Sequence, residues 1–199
     1  VGQADVEKDH ARESQAEALY LLALPGAERA AQLLPDDAGA LDTWSRVLSR
    51  LGSMALYRAK KPEALGYFER GLAVDQRLLV LRPDDAQVRD ALTVSFQMLG
   101  NCQQELGDLP AAYRTFEKML EVAQKLYDQN SDSMTGTFAY ASALHAVGQL
   151  ERIDGKSTVA TRRLIRSRRL VGRVREKDPE AVEPISLQLS DELELGNFE

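Results

Sequence analysis

The chain has 199 residues, 44% of them apolar and 28% charged, and a formal net charge of −6. That length carries one ordinary domain with a sizeable core, and that composition belongs to a folded protein rather than a disordered one. A bilayer span and an intrachain disulfide are excluded, because no apolar run approaches the ~20 residues that span a bilayer and Cys102 is single; the opening VGQADVEKDHARES lacks the basic-then-apolar pattern of a signal peptide, though a leader already removed would leave none. Such cysteine usage makes a reducing, cytoplasmic setting the default, and the acidic balance disfavours general affinity for nucleic acid. The first residue is Val1 rather than methionine, as in a processed or excised piece.

Residues 4 to 23 place Ala16, Leu19, Tyr20 and Ala23 at helical spacing, continued by Leu24. Pro25-Gly26 predicts a break there, with a short helix over 27–34 beyond it. Pro35-Asp36-Asp37 reads as a helix start, because proline in a first turn loses no bonded donor and acids suit the positive end of the dipole. It returns as Pro83-Asp84-Asp85, as Ser131-Asp132-Ser133 and as Pro179-Glu180.

Each start opens a helix of about 20 residues, called A here. Its apolar stripe is Trp44, Leu48, Leu51 and Ala55 in the first copy, Leu92, Phe96 and Leu99 in the second, and Tyr140, Leu144 and Val147 in the third. Glycine follows at 52, 100 and 148, where a neighbouring helix could approach closely. A turn then leads into helix B, whose expected buried face is Ala64, Phe68, Leu72 and Leu78, then Ala112, Phe116, Leu120 and Leu126. The third copy keeps Ala160, Leu164 and Val174 but has Arg168 in the slot of Leu72 and Leu120.

These marks recur with a period of 48, as from Gly52 to Gly100 to Gly148, and a fixed period identifies a repeat architecture. Leu51-Gly52, Ala64 and Phe68, with Leu99-Gly100, Ala112 and Phe116, resemble the Leu-Gly, Ala and Phe signature of the tetratricopeptide repeat family at its usual separations. The period exceeds that family's 34 by 14, seven residues at the end of helix B and seven at the start of helix A. Seven residues are close to two helical turns, so each helix lengthens by ~10 Å and keeps its face. The resemblance implies an all-α, right-handed solenoid of stacked antiparallel hairpins filling one domain over 1–199. Its parts are a partial repeat 1–34, repeats 35–82, 83–130 and 131–178, and a partial repeat or capping helix 179–199. The closing Glu194-Leu195-Gly196-Asn197-Phe198 echoes Glu105-Leu106-Gly107-Asp108-Leu109, the lead into helix B, as in a fragment of a longer array.

Catalytic chemistry is poorly supplied. His10, His145 and Cys102 are the only histidines and cysteine, and no metal-ligand spacing or glycine-rich phosphate loop occurs. Cys102 and His145 fall on neighbouring helices A, where a thiol and base could meet, but a buried cysteine and a surface histidine is the plainer reading. We expect no enzyme, cofactor or metal.

A binding role has more material. In the family this chain resembles, helices A line the concave surface. Here their non-core residues are Arg46, Ser49 and Ser53, then Gln97, Asn101 and Gln104, then Ser142, His145, Gln149 and Arg152. Amides, hydroxyls and arginines suit an extended peptide or a partner helix. The family's carboxylate clamp pairs lysine with asparagine; only Asn101 matches, with Gln97 in the lysine's place.

The stretch 156–177 is strongly basic, including Arg162, Arg163, Arg166, Arg169 and Arg173 against one acid, Glu176, while Asp178 to Glu199 holds seven acids and no base. Phosphate binding by this helix is one reading, and packing of the acidic segment beside it is another. Docking on an acidic protein is a third. The leading expectation is a protein-protein scaffold that grips a partner segment in its groove, without a membrane role. The alternative is a nucleic-acid-associated regulator using helix 156–177. End repeats with open apolar faces would also permit self-association.

Overall fold

The computed structural model describes residues 2–179, with side chains from Ser14 onward apart from Ser157. Among the described residues seven helices follow in order: α1 (Gly2–Leu33), α2 (Ala38–Tyr57), α3 (Lys61–Leu81), α4 (Ala86–Glu105), α5 (Leu109–Gln129), α6 (Met134–Ile153) and α7 (Ser157–Lys177). No strand occurs among the described residues. The chain is all-α and built as a helical repeat: α2–α3, α4–α5 and α6–α7 are hairpins whose bounds recur with the period of the sequence. Residues 180–199, which hold nearly all of the expected partial repeat or capping helix and of the acidic segment that could pair with α7, lie outside the described residues.

The chain divides into two compact units, Val1–Val88 and Arg89–Glu199. In the first, α2 packs against both α1 and α3. Its core gathers Ala31 of α1, Leu41 and Leu48 of α2, and Val74 and Leu78 of α3, with Leu24, Trp44, Tyr67 and Val88 half-buried around them. In the second unit α6 packs against α5 and α7. It is consequently buried on nearly all sides rather than along one stripe.

The hairpin junctions show why the period is so regular. The glycine of each helix A faces a large side chain of the following helix B, at the same offset in all three hairpins. A Cβ at Gly52 would stand 2.6 Å from the Phe68 ring, one at Gly100 2.3 Å from Phe116, and one at Gly148 3.1 Å from Leu164. Each A-to-B turn closes alike, with Lys60, Asp108 and Lys156 donating their amides to the carbonyls of Ala55, Gln103 and Glu151 at 2.8–2.9 Å. That six-to-one bond requires a left-handed residue just before the donor. The positions are Gly107 (φ 83°), Gly155 (φ 77°) and, in the first hairpin, Ala59 (φ 58°). A Cβ in that region costs about 1–2 kcal/mol, part of which returns as unfolded-state entropy when glycine replaces it. Ala59→Gly should therefore stabilise the first unit by about 0.5–1 kcal/mol in denaturant unfolding. The same substitution one residue earlier, at Arg58, should not.

The B-to-A junctions correct one expectation. Pro35 and Pro83 stand before the helices, not in their first turns. Asp37, Asp85 and Ser133 donate their amides to Leu34, Arg82 and Asn130 at 3.0–3.2 Å, closing a β-turn in which proline suits the second place. The last residue of the turn then caps the helix: Asp37 accepts from Ala40 N at 2.7 Å, Asp85 from Gln87 N at 2.9 Å, and Ser133 from Gly136 N at 3.2 Å.

Two further expectations change. Pro25 does not break the first helix: α1 runs continuously from Gly2 to Leu33. Pro25 and Leu21 are exposed, so water can satisfy the carbonyl that proline leaves unbonded, and Gly26 adds no side chain beside it. Along α1 the inward positions are Ala16, Tyr20, Leu24 and Ala31, while Leu19 (67% exposed) and Leu22 (79%) point outward. On the helices B, Leu72 and Leu120 are only half-buried. The buried slot is one residue earlier, at Gly71, Met119 and Ser167. Arg168 thus occupies an outward position and is no anomaly, and the Ser167 hydroxyl donates to the Ala141 carbonyl of α6 at 2.9 Å.

Candidate interaction surfaces

The helix A residues proposed for binding separate into three groups. On α2, Arg46 is exposed and lies 3.8 Å from Asp42, while half-buried Ser53 donates its hydroxyl to the Ser49 carbonyl at 3.0 Å. On α4, Asn101 is exposed and Gln97 and Gln104 are half-buried. Their side chains make no hydrogen bond to any described residue. On α6 the expectation fails in part, because Ser142 and His145 are buried at 7% and 8% exposure. His145 is therefore not the surface histidine expected, since α6 is enclosed between α5 and α7 and has no polar flank there. Gln149 and Arg152 are half-buried. Cys102 is fully buried, and no cluster of metal-binding side chains occurs among the described residues.

The basic helix α7 is more occupied than its sequence implies. Arg163 donates Nε to Glu151 of α6 at 2.9 Å, and Glu151, 2% exposed, also accepts from the Tyr113 hydroxyl of α5 at 3.3 Å. Arg166 lies 5.0 Å over the Tyr140 ring, which stacks on Tyr127 at 5.3 Å between centroids. Arg173 donates to the Tyr127 hydroxyl at 2.8 Å and to the Ser131 carbonyl at 3.2 Å, and Lys177 donates to the Asp132 carbonyl at 2.8 Å. These bonds tie α7 to α5 and to the turn before α6. Arg77 plays the same part in the first unit, donating to the Pro35 carbonyl at 3.0 Å, at the same sequence separation as Arg173 from Ser131. Arg162 and Arg169 remain exposed.

The tyrosines beneath this ladder are perturbed. Burial pushes the Tyr113 hydroxyl up to about 12, with Glu117 and Glu151 adding to the shift, and burial also raises Tyr140, partly offset by Arg166. A neutral Tyr113 favoured by the fold means that the unfolded chain loses its proton first. Its contribution to stability is then whole below pH ~10 and lost as pH rises toward 12. Absorbance titration of tyrosinate should show one group titrating near 12 that Tyr113→Phe removes.

Sequence reasoning missed the Tyr113–Glu151–Arg163 set. Its one signal is register: Glu151 and Arg163 stand one period after Gln103 and Thr115, whose side chains also bond, at 2.7 Å. No helix among the described residues is long and apolar enough to cross a membrane.

No protein-family model matches the sequence, and no curated protein matches it. Among solved structures the chain is similar to BtubC (BKLC) from P. vanneervenii, with a TM-score of 0.62 at 16% identity over 88% of this chain. It spans 62% of that protein's length, and a likeness at this identity is one of fold alone. A chain described as a DHF119 filament aligns over 95% of this one and 96% of its own length at 12% identity, but its TM-score of 0.31 is too low to carry any argument.

Proposed function

We propose that this chain is an elongated tetratricopeptide-type repeat module of the cytoplasm that, without catalysis, holds a segment of a partner protein on its helix A surfaces. The observation that carries the reading is the row Gln97, Asn101 and Gln104 on α4. Three amides with no side-chain bond to a described residue fall at i, i+4 and i+7 on one face, a reach of ~10 Å. An amide side chain offers both donors and an acceptor, which is what the backbone of an extended peptide requires.

The test is selection of peptides from a displayed random library, followed by amide NMR mapping on the full chain. Bound peptides should perturb Gln97 to Gln104, and Gln97→Ala with Asn101→Ala should weaken them at least tenfold. Peptides that bind with unchanged affinity to the double variant would overturn the reading. The rival, nucleic-acid binding by helix 156–177, is weakened because Arg163, Arg166 and Arg173 are engaged within the fold. A DNA or RNA probe retarded at low salt by the native chain, but not after Arg162→Glu with Arg169→Glu, would favour that rival.

A further inference from the structure

The outward face of α1 is an empty helix seat. In the complete hairpins each helix B buries a short row against the helix A before it. Gly71 of α3 has its built Cβ 3.7 Å from Leu48 of α2, Ser167 of α7 bonds the Ala141 carbonyl of α6, and Val74 and Leu170, three places on, are buried as well. One period before Gly71 and Val74 stand Ala23 and Gly26 of α1. Ala23 is exposed, and a Cβ on Gly26 would meet nothing within 4 Å. The cause is that α1 runs straight through position 11, one period before the left-handed Ala59 at which the first hairpin turns back. No turn at that register folds a helix A onto α1.

The seat is apolar and uncharged. Leu19 is 67% exposed, Leu22 79% and Leu33 62%, and no charged residue occurs from Ala18 to Ala27. The acids that flank this stretch are turned to arginines of the same unit, Glu17 to Arg58 and Glu28 to Arg70 at 3.2 Å. A contiguous apolar face of this kind marks an association surface rather than a solvated one.

The spacing of the face says what covers it. Gln15, Leu19, Leu22, Gly26, Arg29 and Leu33 recur at steps of four and three, the a and d spacing of a two-helix seam. Laid antiparallel on a second copy, the row is self-complementary: Leu22 falls on the other copy's Gly26, Leu19 on the stem of Arg29, and Leu33 on Gln15. The leucine thus meets the glycine that leaves room for it, while the arginine heads stay at the rim in water. A two-fold axis makes every contact twice, as an isologous interface requires. The overlap is ~27 Å long and covers on the order of 1,000 Å² in total, the lower limit for a specific interface.

We infer that α1 is a homodimer contact in which the outward faces of two copies pair antiparallel, each Leu22 seated on the other copy's Gly26. The amide row on α4 takes no part, so either reading can fail while the other stands.

Sedimentation equilibrium of the full chain, from micromolar to submillimolar concentration, tests this. The native chain should form a reversible dimer with a micromolar dissociation constant. Leu22→Lys and Gly26→Glu should each weaken it at least tenfold with helical circular dichroism unchanged, because both positions face open space in the single chain. Mixed in equal amounts, the two variants should recover a dimer. The axis then sets the introduced ammonium of one copy beside the introduced carboxylate of the other at one position of the pair and leaves its symmetry mate native. A native chain that is monomeric at the highest concentration, a dimer that either variant leaves intact, or a mixture that stays monomeric would each overturn the inference.

Discussion

Phe116→Ala should cost the second unit about 3–5 kcal/mol, read as a lowered denaturant midpoint. Phe116 is 1% exposed, and its ring lies where a side chain on Gly100 would otherwise stand, 2.3 Å from a built Cβ. Truncation opens a cavity that the rigid α4–α5 hairpin cannot close. The converse change is also severe, because Gly100→Ala meets a ring atom with nowhere to retreat. The two changes answer each other: in the double variant the new methyl group enters the space the ring has left. A double-mutant cycle should thus show a coupling of about 1–3 kcal/mol, with the pair less damaging than the sum of the singles. At Gly148 the facing group is the branched end of Leu164, at 3.1 Å, so Gly148→Ala should cost less than Gly100→Ala. Simple additivity at 100 and 116 would mean that the helices do not meet there.

Arg163→Ala should cost about 3 kcal/mol, and the asymmetry with its partner is the informative part. Glu151 is enclosed and Arg163 is 28% exposed along its side chain. Removing the arginine strands a carboxylate away from water, whereas removing the carboxylate leaves a guanidinium that can turn outward. Glu151→Gln should therefore cost no more than about 1 kcal/mol. The middle hairpin offers a neutral solution at the same two positions, Gln103 with Thr115. Transplanting it as Glu151→Gln with Arg163→Thr should recover most of what Arg163→Ala loses. Thermal unfolding of the four proteins checks the order, and an Arg163→Ala midpoint within error of the native one would show that water reaches Glu151.

Much of the fold was legible because the chain repeats its own local rules. The A stripes from Leu48 to Val147 and the glycine–aromatic pairs could be read from spacing, since a glycine followed at a constant offset by a ring has one economical arrangement in a hairpin. Offsets of a single residue were not legible. Leu120 and Met119 are equally apolar, and only the packing angle of α5 decides that Met119 faces inward. Pro35 was misplaced for a related reason: proline suits both a first helical turn and the second place of a β-turn, and the capping Asp37 settles it. The burial of Ser142 and His145 needed knowledge of how many neighbours α6 has, which periodicity along one helix does not carry. The charge of α7 was visible, but its partners come from α5, α6 and the turn between them, at separations no local window spans.

The three A-to-B turns share one hydrogen-bond scheme, and the turns that precede each helix A share another. A genetic event that adds or removes one whole period at any of these points would rejoin chain ends of matching conformation, with a cap, a left-handed residue and a glycine seat already in place. Lineages carrying this sequence could therefore change its length by whole hairpins more readily than by single residues.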